Sequence, residues 1–285
     1  MIITRKISDL KKKISEAKKN NHSIGFVPTM GALHKGHLSL IDCSANENEI
    51  TVVSIYVNPT QFNNQEDLKK YPRNEDNDLA LLKQTKCSIV FLPETTEMYP
   101  EKDDRVFDFN GLDKLMEGKY REGHFNGVAQ IVSKLFEIVK PHNAYFGKKD
   151  FQQLAIINYL NNKYLKELKI QIKACEIIRE NNGLAMSSRN ARLNDKQRSA
   201  AANISKIASG GELSRFMLAL KVVLSKVKSV PTIIFDEIDA GIGGAVAHAV
   251  GERLKRLGEN LQVMVVTHHP QVASKGNYHL RVRKA

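Results

Sequence analysis

One stretch constrains this chain more than any other: Gly25-Phe-Val-Pro-Thr-Met-Gly-Ala-Leu-His-Lys-Gly-His37. It reads as a short apolar strand, a tight Pro/Gly turn and a helix that opens on two histidines. In a parallel α/β sheet, the place where a strand's carboxyl end meets a helix N-terminus is where phosphates bind, because the first N–H groups of the helix have no partner. His34 and His37 are three residues apart and project to one side of the first turn. Gly36 between them leaves room for backbone to approach a ligand. The spacing predicts a phosphoryl clamp; the plainer alternative is two surface histidines on a helix.

The rest of the chain fits an α/β sheet. Residues 5–20 have the apolar spacing of a surface helix with Ile7, Leu10 and Ile14 inward. Strands are predicted at Ser23–Val27, Ile50–Val57, Ser88–Leu92, Asn143–Phe146 and Ile170–Ile178. Ile50–Val57 is rich in Val and Ile, as a strand buried on both faces should be, and Ser88–Leu92 is of the same type. Helices are predicted from near His34 and over Asn74–Thr85, Asn126–Val139 and Phe151–Leu160. The β-α-β-α-β order calls for parallel strands with right-handed crossovers. Tyr99–Glu122 is irregular and charged, a length of loop that is often functional.

Four loops then fall after strands, bearing His34 and His37, Gln61, Lys149 with Asp150 and Gln153, and Ser187, Ser188 and Arg189. Imidazole, ammonium and guanidinium groups can neutralise a triphosphate, and amide side chains can orient hydroxyls or a carboxylate. Alone, Gln61 or Gln153 would read as a solvated amide, Lys149 as a surface charge and the serines as turn residues. Together at one sheet edge they describe a site for a nucleotide and a small polar acid. The net charge of +12 over 285 residues agrees with an anionic ligand. Residues 1–202 and 203–285 each contribute +6, so the shorter tail is the more basic per residue. The three cysteines, Cys43, Cys87 and Cys175, form no metal-ligand or redox spacing, and no run is apolar enough to span a bilayer. A cytoplasmic protein without membrane contact is expected.

These residues also carry a resemblance. PTMGALHKGH (28–37), YVNPTQF (56–62), YPRNEDND (71–78), EGHFNGVAQIVSKLF (122–136), FGKKDFQQ (146–153) and IIRENNGLAMSSRN (177–190) resemble, in order, the AMP-forming pantoate–β-alanine ligases. The resemblance implies a Rossmann-like nucleotidyltransferase sheet with helices on both faces, related to class I aminoacyl-tRNA synthetases, and a homodimer. It implies that Met30, Gly31, His34 and His37 contact ATP, with His37 in an acid role and His34 beside it. Gly147, Lys148, Lys149, Asp150, Ile178, Met186, Ser187, Ser188 and Arg189 would complete the nucleotide site, with Lys149 and Arg189 sharing the catalytic charge neutralisation. Gln61 would hold pantoate and β-alanine, and Gln153 pantoate. Lys148 departs from the acidic or amide residue of many members, a change of little consequence if the side chain points outwards. The implied reaction adenylates pantoate with Mg·ATP and then transfers the pantoyl group to β-alanine, giving pantothenate, AMP and pyrophosphate. No metal cage is expected, Mg²⁺ arriving on the phosphates.

From about Asn203 the sequence resembles something else. Ile-Ala-Ser-Gly-Gly-Glu-Leu-Ser214, Thr232-Ile-Ile-Phe-Asp-Glu237, Asp239-Ala-Gly-Ile-Gly-Gly244 and Val265-Val-Thr-His-His269 are similar to the C-terminal end of the DNA-repair ATPase RecN. In that resemblance Asp236 would hold Mg²⁺, Glu237 would polarise water and His268 would sense a γ-phosphate. No G-x-x-x-x-G-K-[ST] occurs, so the tail is not expected to hydrolyse ATP. The expected organisation is a Rossmann-like ATP and pantoate domain over 1–180, the MSSR loop over 181–202, and a partial ABC-ATPase-like α/β segment over 203–285. That segment is expected as helix 211–227, strand 231–235, helix 244–257 and strand 261–267, with exposed apolar strand edges. The reading is thus a fusion in which the family's closing C-terminal domain is replaced. Its alternatives are a DNA-associated module reached through the basic tail, an inactive fusion, and an adenylyl transferase for another acid.

Overall fold

The computed structural model describes residues 1–194, 196–198, 201, 232–236, 244–259, 262–267 and 269–279. The chain divides into two compact units, Met1–Arg198 and Ser199–Ala285.

The first unit runs β1 (Ile2–Thr4), α1 (Ile7–Lys19), β2 (Ile24–Thr29), α2 (Lys35–Glu47), β3 (Ile50–Ile55), α3 (Gln65–Lys70), α4 (Glu75–Leu82), β4 (Ile89–Phe91), α5 (Thr95–Met98), α6 (His124–Val139), β5 (Asn143–Gly147), α7 (Phe151–Tyr164) and β6 (Gln171–Cys175). Its six strands lie in the order β1-β4-β3-β2-β5-β6, all parallel. Successive side chains alternate between faces, and both faces are covered. Phe26, Val52, Ile89 and Phe146 face the layer of α1, α6 and α7, where Leu10, Ile14, Leu135, Phe136 and Ile156 are buried. Val27, Val53, Val90 and Tyr145 face α2 and α4 through Leu40, Ile41 and Leu82.

From β2 the chain builds outward through β3 to β4, then returns to place β5 on the other side of β2. The carboxyl ends of β2 and β5 therefore flank the switch point of the sheet, where a crevice opens because the two connections leave in opposite directions. Pro28 makes this visible. A proline within a strand flanked on both sides would normally remove a ladder hydrogen bond, and the Pro/Gly turn expected from the sequence ends this strand at Val27. The strand continues to Thr29, pairing Pro28 with Ser54 of β3. The Thr29 carbonyl accepts from Tyr56 beside β3, and the Ile24 carbonyl accepts from His142 beside β5. By alternation Pro28 faces the β5 side, and β5 pairs only with Gly25 and Phe26. The missing N–H thus falls where the strands have already parted.

The second unit contains β7 (Thr232–Asp236) and β8 (Gln262–Val266) as a parallel pair, with α8 (Gly244–Gly258) and α9 (Pro270–Ala273). Phe235, Val250, Leu254, Leu257 and Val272 form its small core, packed on by Val263 and Val265. The two strands and the helix between them agree with the sequence expectation. Ile234, Met264 and Val266, on the other face of the pair, are exposed. The expected helix 211–227, the Ser209-Gly-Gly-Glu212 motif, Glu237 and His268 lie outside the described residues, and Asp236 is described by its backbone alone.

Candidate active site

A cleft of about 250 Å³ opens at the carboxyl ends of β2 and β5. It gathers Met30, His34, His37, Gln61, Gly147, Lys149, Asp150, Gln153, Ile178 and the whole of Met186–Arg189 from the residues singled out in the sequence. Two of those residues stand elsewhere. Gly31 is buried with φ +76°, and a Cβ there would press on Asp78 and Ile55, so its lack of a side chain shapes the loop. Lys148 turns away to pair with Glu176 on the surface, as its departure from the family pattern allowed.

The loop between β2 and α2 is held by a carboxylate. Buried Asp78 on α4 accepts the backbone N–H groups of Ala32 (2.8 Å) and Leu33 (2.7 Å). Desolvation raises the Asp78 pKa, and the two N–H bonds oppose that shift. The loop needs such a tether, because Ala32 sits at φ 48°, where a residue with a Cβ is uncommon.

The two histidines then cap their own helix. His34 is the N-cap, and its Nδ1 accepts the N–H of Gly36 at 3.1 Å, while the His34 N–H donates to Nδ1 of His37 at 3.3 Å. The rings lie 4.1 Å apart. This is a capping box made of imidazoles, two orphan N–H groups each finding a ring nitrogen. Gly36, in the cleft lining, also serves the cap: a Cβ there would come within 2.9 Å of the His34 ring. With both Nδ1 atoms accepting, each neutral ring carries its proton on Nε2. Burial lowers both pKa values; for His37, burial reinforced by His34 and Lys149 takes it to about 3. His37 retains some surface toward the cleft but lies deep enough for desolvation to dominate. The free protein therefore presents two neutral N–H donors to an anion.

The opposite wall is the loop after β3. Asn58 is fully buried, accepts from Tyr99 Oη at 2.9 Å and donates to the Gly127 carbonyl at 3.1 Å. It also reaches Gln61 Oε1 at 3.3 Å, while Gln61 Nε2 lies 3.0 Å from the Met30 sulfur. A Cβ on Gly127 would overlap the backbone of Thr60 and Gln61, so α6 abuts this loop with no clearance. The helix begins at His124, two residues earlier than its periodicity indicated, because Gly123 at φ +76° turns the chain into it.

Arg189 and Arg192 both bind Asp67 of α3, at 2.9 and 3.0 Å. Burial pushes the Asp67 carboxyl up, but hydrogen bonds from the two guanidinium groups outweigh it and the net shift is downward. Ser187 caps the following 3₁₀ turn, and Ser188 Oγ donates to the Ala32 carbonyl at 3.0 Å, tying this loop to the histidine loop. Among the described residues no group of three or more His, Cys, Asp or Glu side chains is placed to hold a metal ion. Sequence reasoning missed Asn58, Glu117, Arg121 and His124, all in the cleft wall. The signal available for Glu117 and Arg121 was their place in the charged stretch before α6, and for His124 its place at the start of that helix.

A fully parallel sheet with its switch-point cleft lined by helix N-terminal donors, a lysine and paired serines has the architecture of a Rossmann-like nucleotide-binding fold. Comparison with known proteins narrows the class. The family model for pantoate-beta-alanine ligase matches residues 2–239. The pantothenate synthetase of Bacteroides fragilis is 54% identical over 205 residues, covering 72% of each chain. That of Cytophaga hutchinsonii is 46% identical over 241 residues, 85% of this chain and 80% of the relative. Among solved structures, the pantoate-beta-alanine ligase of Francisella tularensis, complexed with beta-gamma ATP and beta-alanine, superposes with a TM-score of 0.69 at 38% identity, covering 72% of this chain and 78% of that one. The chain belongs to the pantoate–β-alanine ligase family, and it is a ligase of pantothenate biosynthesis that uses ATP.

These matches do not support the likeness of the tail to RecN, nor the reading of the chain as a fusion. The family model continues well past Asn203, to residue 239, and the alignment with the Cytophaga relative is longer than the first unit. Nor do they support the DNA-associated alternative. No helix among the described residues is long and apolar enough to cross a membrane.

Proposed function

We propose that the switch-point cleft condenses pantoate with β-alanine in two steps, with each wall serving one part of the chemistry. The pantoate carboxylate attacks the α-phosphorus of ATP and pyrophosphate leaves. The amine of β-alanine then attacks the acyl carbon of the pantoyl adenylate and AMP leaves. The first step is mainly charge neutralisation and positioning. His34 and His37 give Nε2–H donors to phosphate oxygens, Lys149 contributes its charge beside them, and the Ser187–Arg189 turn closes over the nucleotide. Met30, Gly147, Asp150, Ile178 and Met186 supply the remaining contacts. Gln61 and Gln153 orient pantoate, with Gln61 also facing β-alanine.

Lys149 pairs with the neighbouring Asp150 at 3.2 Å, and Arg189 with Asp67. A triphosphate competes with both carboxylates, so ATP binding would draw these two cations inward. Mg²⁺ is proposed to enter on the triphosphate oxygens, where it would neutralise charge; none of the protein contacts proposed here involves it. We also propose a cytoplasmic homodimer, which light scattering on the purified protein would test.

The observation that supports this reading most strongly is the reciprocal histidine cap, because it leaves two Nε2–H donors side by side at a helix N-terminus. The test is formation of pantothenate and AMP from the three substrates, with His37→Ala alongside. Removing a preorganised donor is expected to lower turnover at least ~100-fold. Equal turnover in the two proteins would take His37 out of the reaction.

A further inference from the structure

The chemistry above gives no destination for the proton that the amine sheds when the amide bond forms. One buried group in the cleft is unused and has the right form. His124, at the start of α6, is 5% exposed and lines the cleft. Its Nδ1 lies 2.7 Å from the backbone carbonyl oxygen of Gln61. A carbonyl oxygen only accepts, so the ring must carry its proton on Nδ1, and Nε2 is left as a bare lone pair. That nitrogen has no hydrogen-bond partner among the described residues. It is not sealed off either: among the described residues, the fully buried side-chain polar atoms lacking a partner are Ser54 Oγ and Asn161 Oδ1. Nε2 therefore keeps access to the cleft.

The three histidines of the cleft are thus sorted by tautomer. His34 and His37 accept at Nδ1 and present N–H groups, which suit phosphate oxygens. His124 donates at Nδ1 and presents an acceptor, which suits an amine. Its donor bond also fixes the backbone of Gln61, the residue proposed to face β-alanine. We propose that His124 is the proton acceptor of the amide-forming step, its Nε2 receiving a hydrogen bond from the attacking amine. Starting from the free amine, the nitrogen bonds to the acyl carbon, and the bond from that carbon to the phosphate oxygen breaks with its electron pair leaving on AMP. One proton passes from the nitrogen to Nε2 and from there to water. The charged groups facing the ring are Arg121 and Glu117, which pair with each other at 2.5 Å, and Arg189. Burial is the largest influence on His124 and lowers its pKa, which keeps the lone pair free at neutral pH.

This assignment rests on the ligase reading, and the experiment separates the two. His124→Asn keeps an N–H able to donate to the Gln61 carbonyl but carries no basic nitrogen. Pantoate-dependent exchange of pyrophosphate into ATP reports the first step alone and also reports that the variant is folded. Amide formation is then measured with β-alanine, and hydroxamate formation with hydroxylamine, a far weaker base whose nitrogen gives up its proton to water more readily. The expected result is exchange within ~2-fold of wild type, amide formation with β-alanine reduced ~100-fold or more, and a much smaller loss with hydroxylamine. Loss of exchange and amide formation by the same factor would reduce His124 to a packing residue and overturn the assignment, as would unimpaired amide formation. Absence of pantoate-dependent exchange in the wild-type protein would instead overturn the ligase reading.

Discussion

The reciprocal cap of His34 and His37 makes a quantitative claim about acid stability. The unfolded imidazole of His37 titrates near 6.5, whereas burial, His34 and Lys149 hold the folded one at about 3. A base whose folded pKa is depressed contributes stability that is present above the unfolded pKa and is lost as pH falls toward the folded one. Between pH 6.5 and 4.5 the unfolded chain takes up a proton at this site that the folded protein refuses. Linkage sets the loss at roughly 2 kcal/mol over that window. The comparison is with His37→Asn, whose side-chain oxygen can still accept the His34 N–H but does not titrate. Urea unfolding, followed by far-ultraviolet circular dichroism because the chain has no tryptophan, would be run on both proteins at both pH values. Carboxylates common to the two cancel in the difference. The wild type is expected to lose roughly 2 kcal/mol more than the variant on acidification. Parallel losses would mean that His37 charges freely in the folded protein, and the neutral-donor account of the cleft would be refuted.

Further predictions follow from the walls of the cleft. Asp78→Ala leaves two backbone N–H groups of the histidine loop without their acceptor, and should cost ~2–4 kcal/mol in denaturant unfolding while weakening ATP binding by calorimetry; unchanged ATP affinity would show that the loop holds its form without the carboxylate. Gly127→Ala forces a Cβ onto the backbone of Thr60 and Gln61 and should cost ~1–3 kcal/mol, with a raised KM for pantoate that Ala129→Ser, on the same helix, does not reproduce. Asp67→Asn removes the competitor for Arg189 and Arg192, so the KM for ATP should fall or hold while stability drops by under ~1 kcal/mol, as for exposed pairs; a raised KM would mean that Asp67 positions Arg189 rather than restraining it. Ile234→Thr with Met264→Thr should reduce any self-association seen by light scattering, since both side chains lie on the exposed face of the β7–β8 pair.

Most of the sheet could be read from the sequence because strands buried on both faces are simple signals: short Val/Ile runs such as Ile50–Ile55, each followed by a helical period. What was hidden depended on partners far along the chain. β1 is three residues long and exists by pairing with β4, 87 positions away at Ile2 and Ile89, so no local pattern announces it. Pro28 argued for an early strand end because the sequence does not show on which side its neighbour departs. The same distinction runs through the site. That His34, His37, Gln61 and Arg189 meet in one cleft followed from loops sharing one sheet edge. What each imidazole can do did not follow, because that depends on what Nδ1 touches. A ring nitrogen facing a backbone N–H leaves a donor behind, and one facing a carbonyl leaves an acceptor. His37 meets the N–H of His34, three residues before it, whereas His124 meets the carbonyl of Gln61, 63 residues before it. The first contact is local enough for a helix N-terminus to suggest it. The second exists only because α6 packs against the loop after β3 at Gly127, where any larger residue would hold the two apart. The tertiary contact that seats His124 is therefore also what fixes its proton, and a sequence read residue by residue has no access to either.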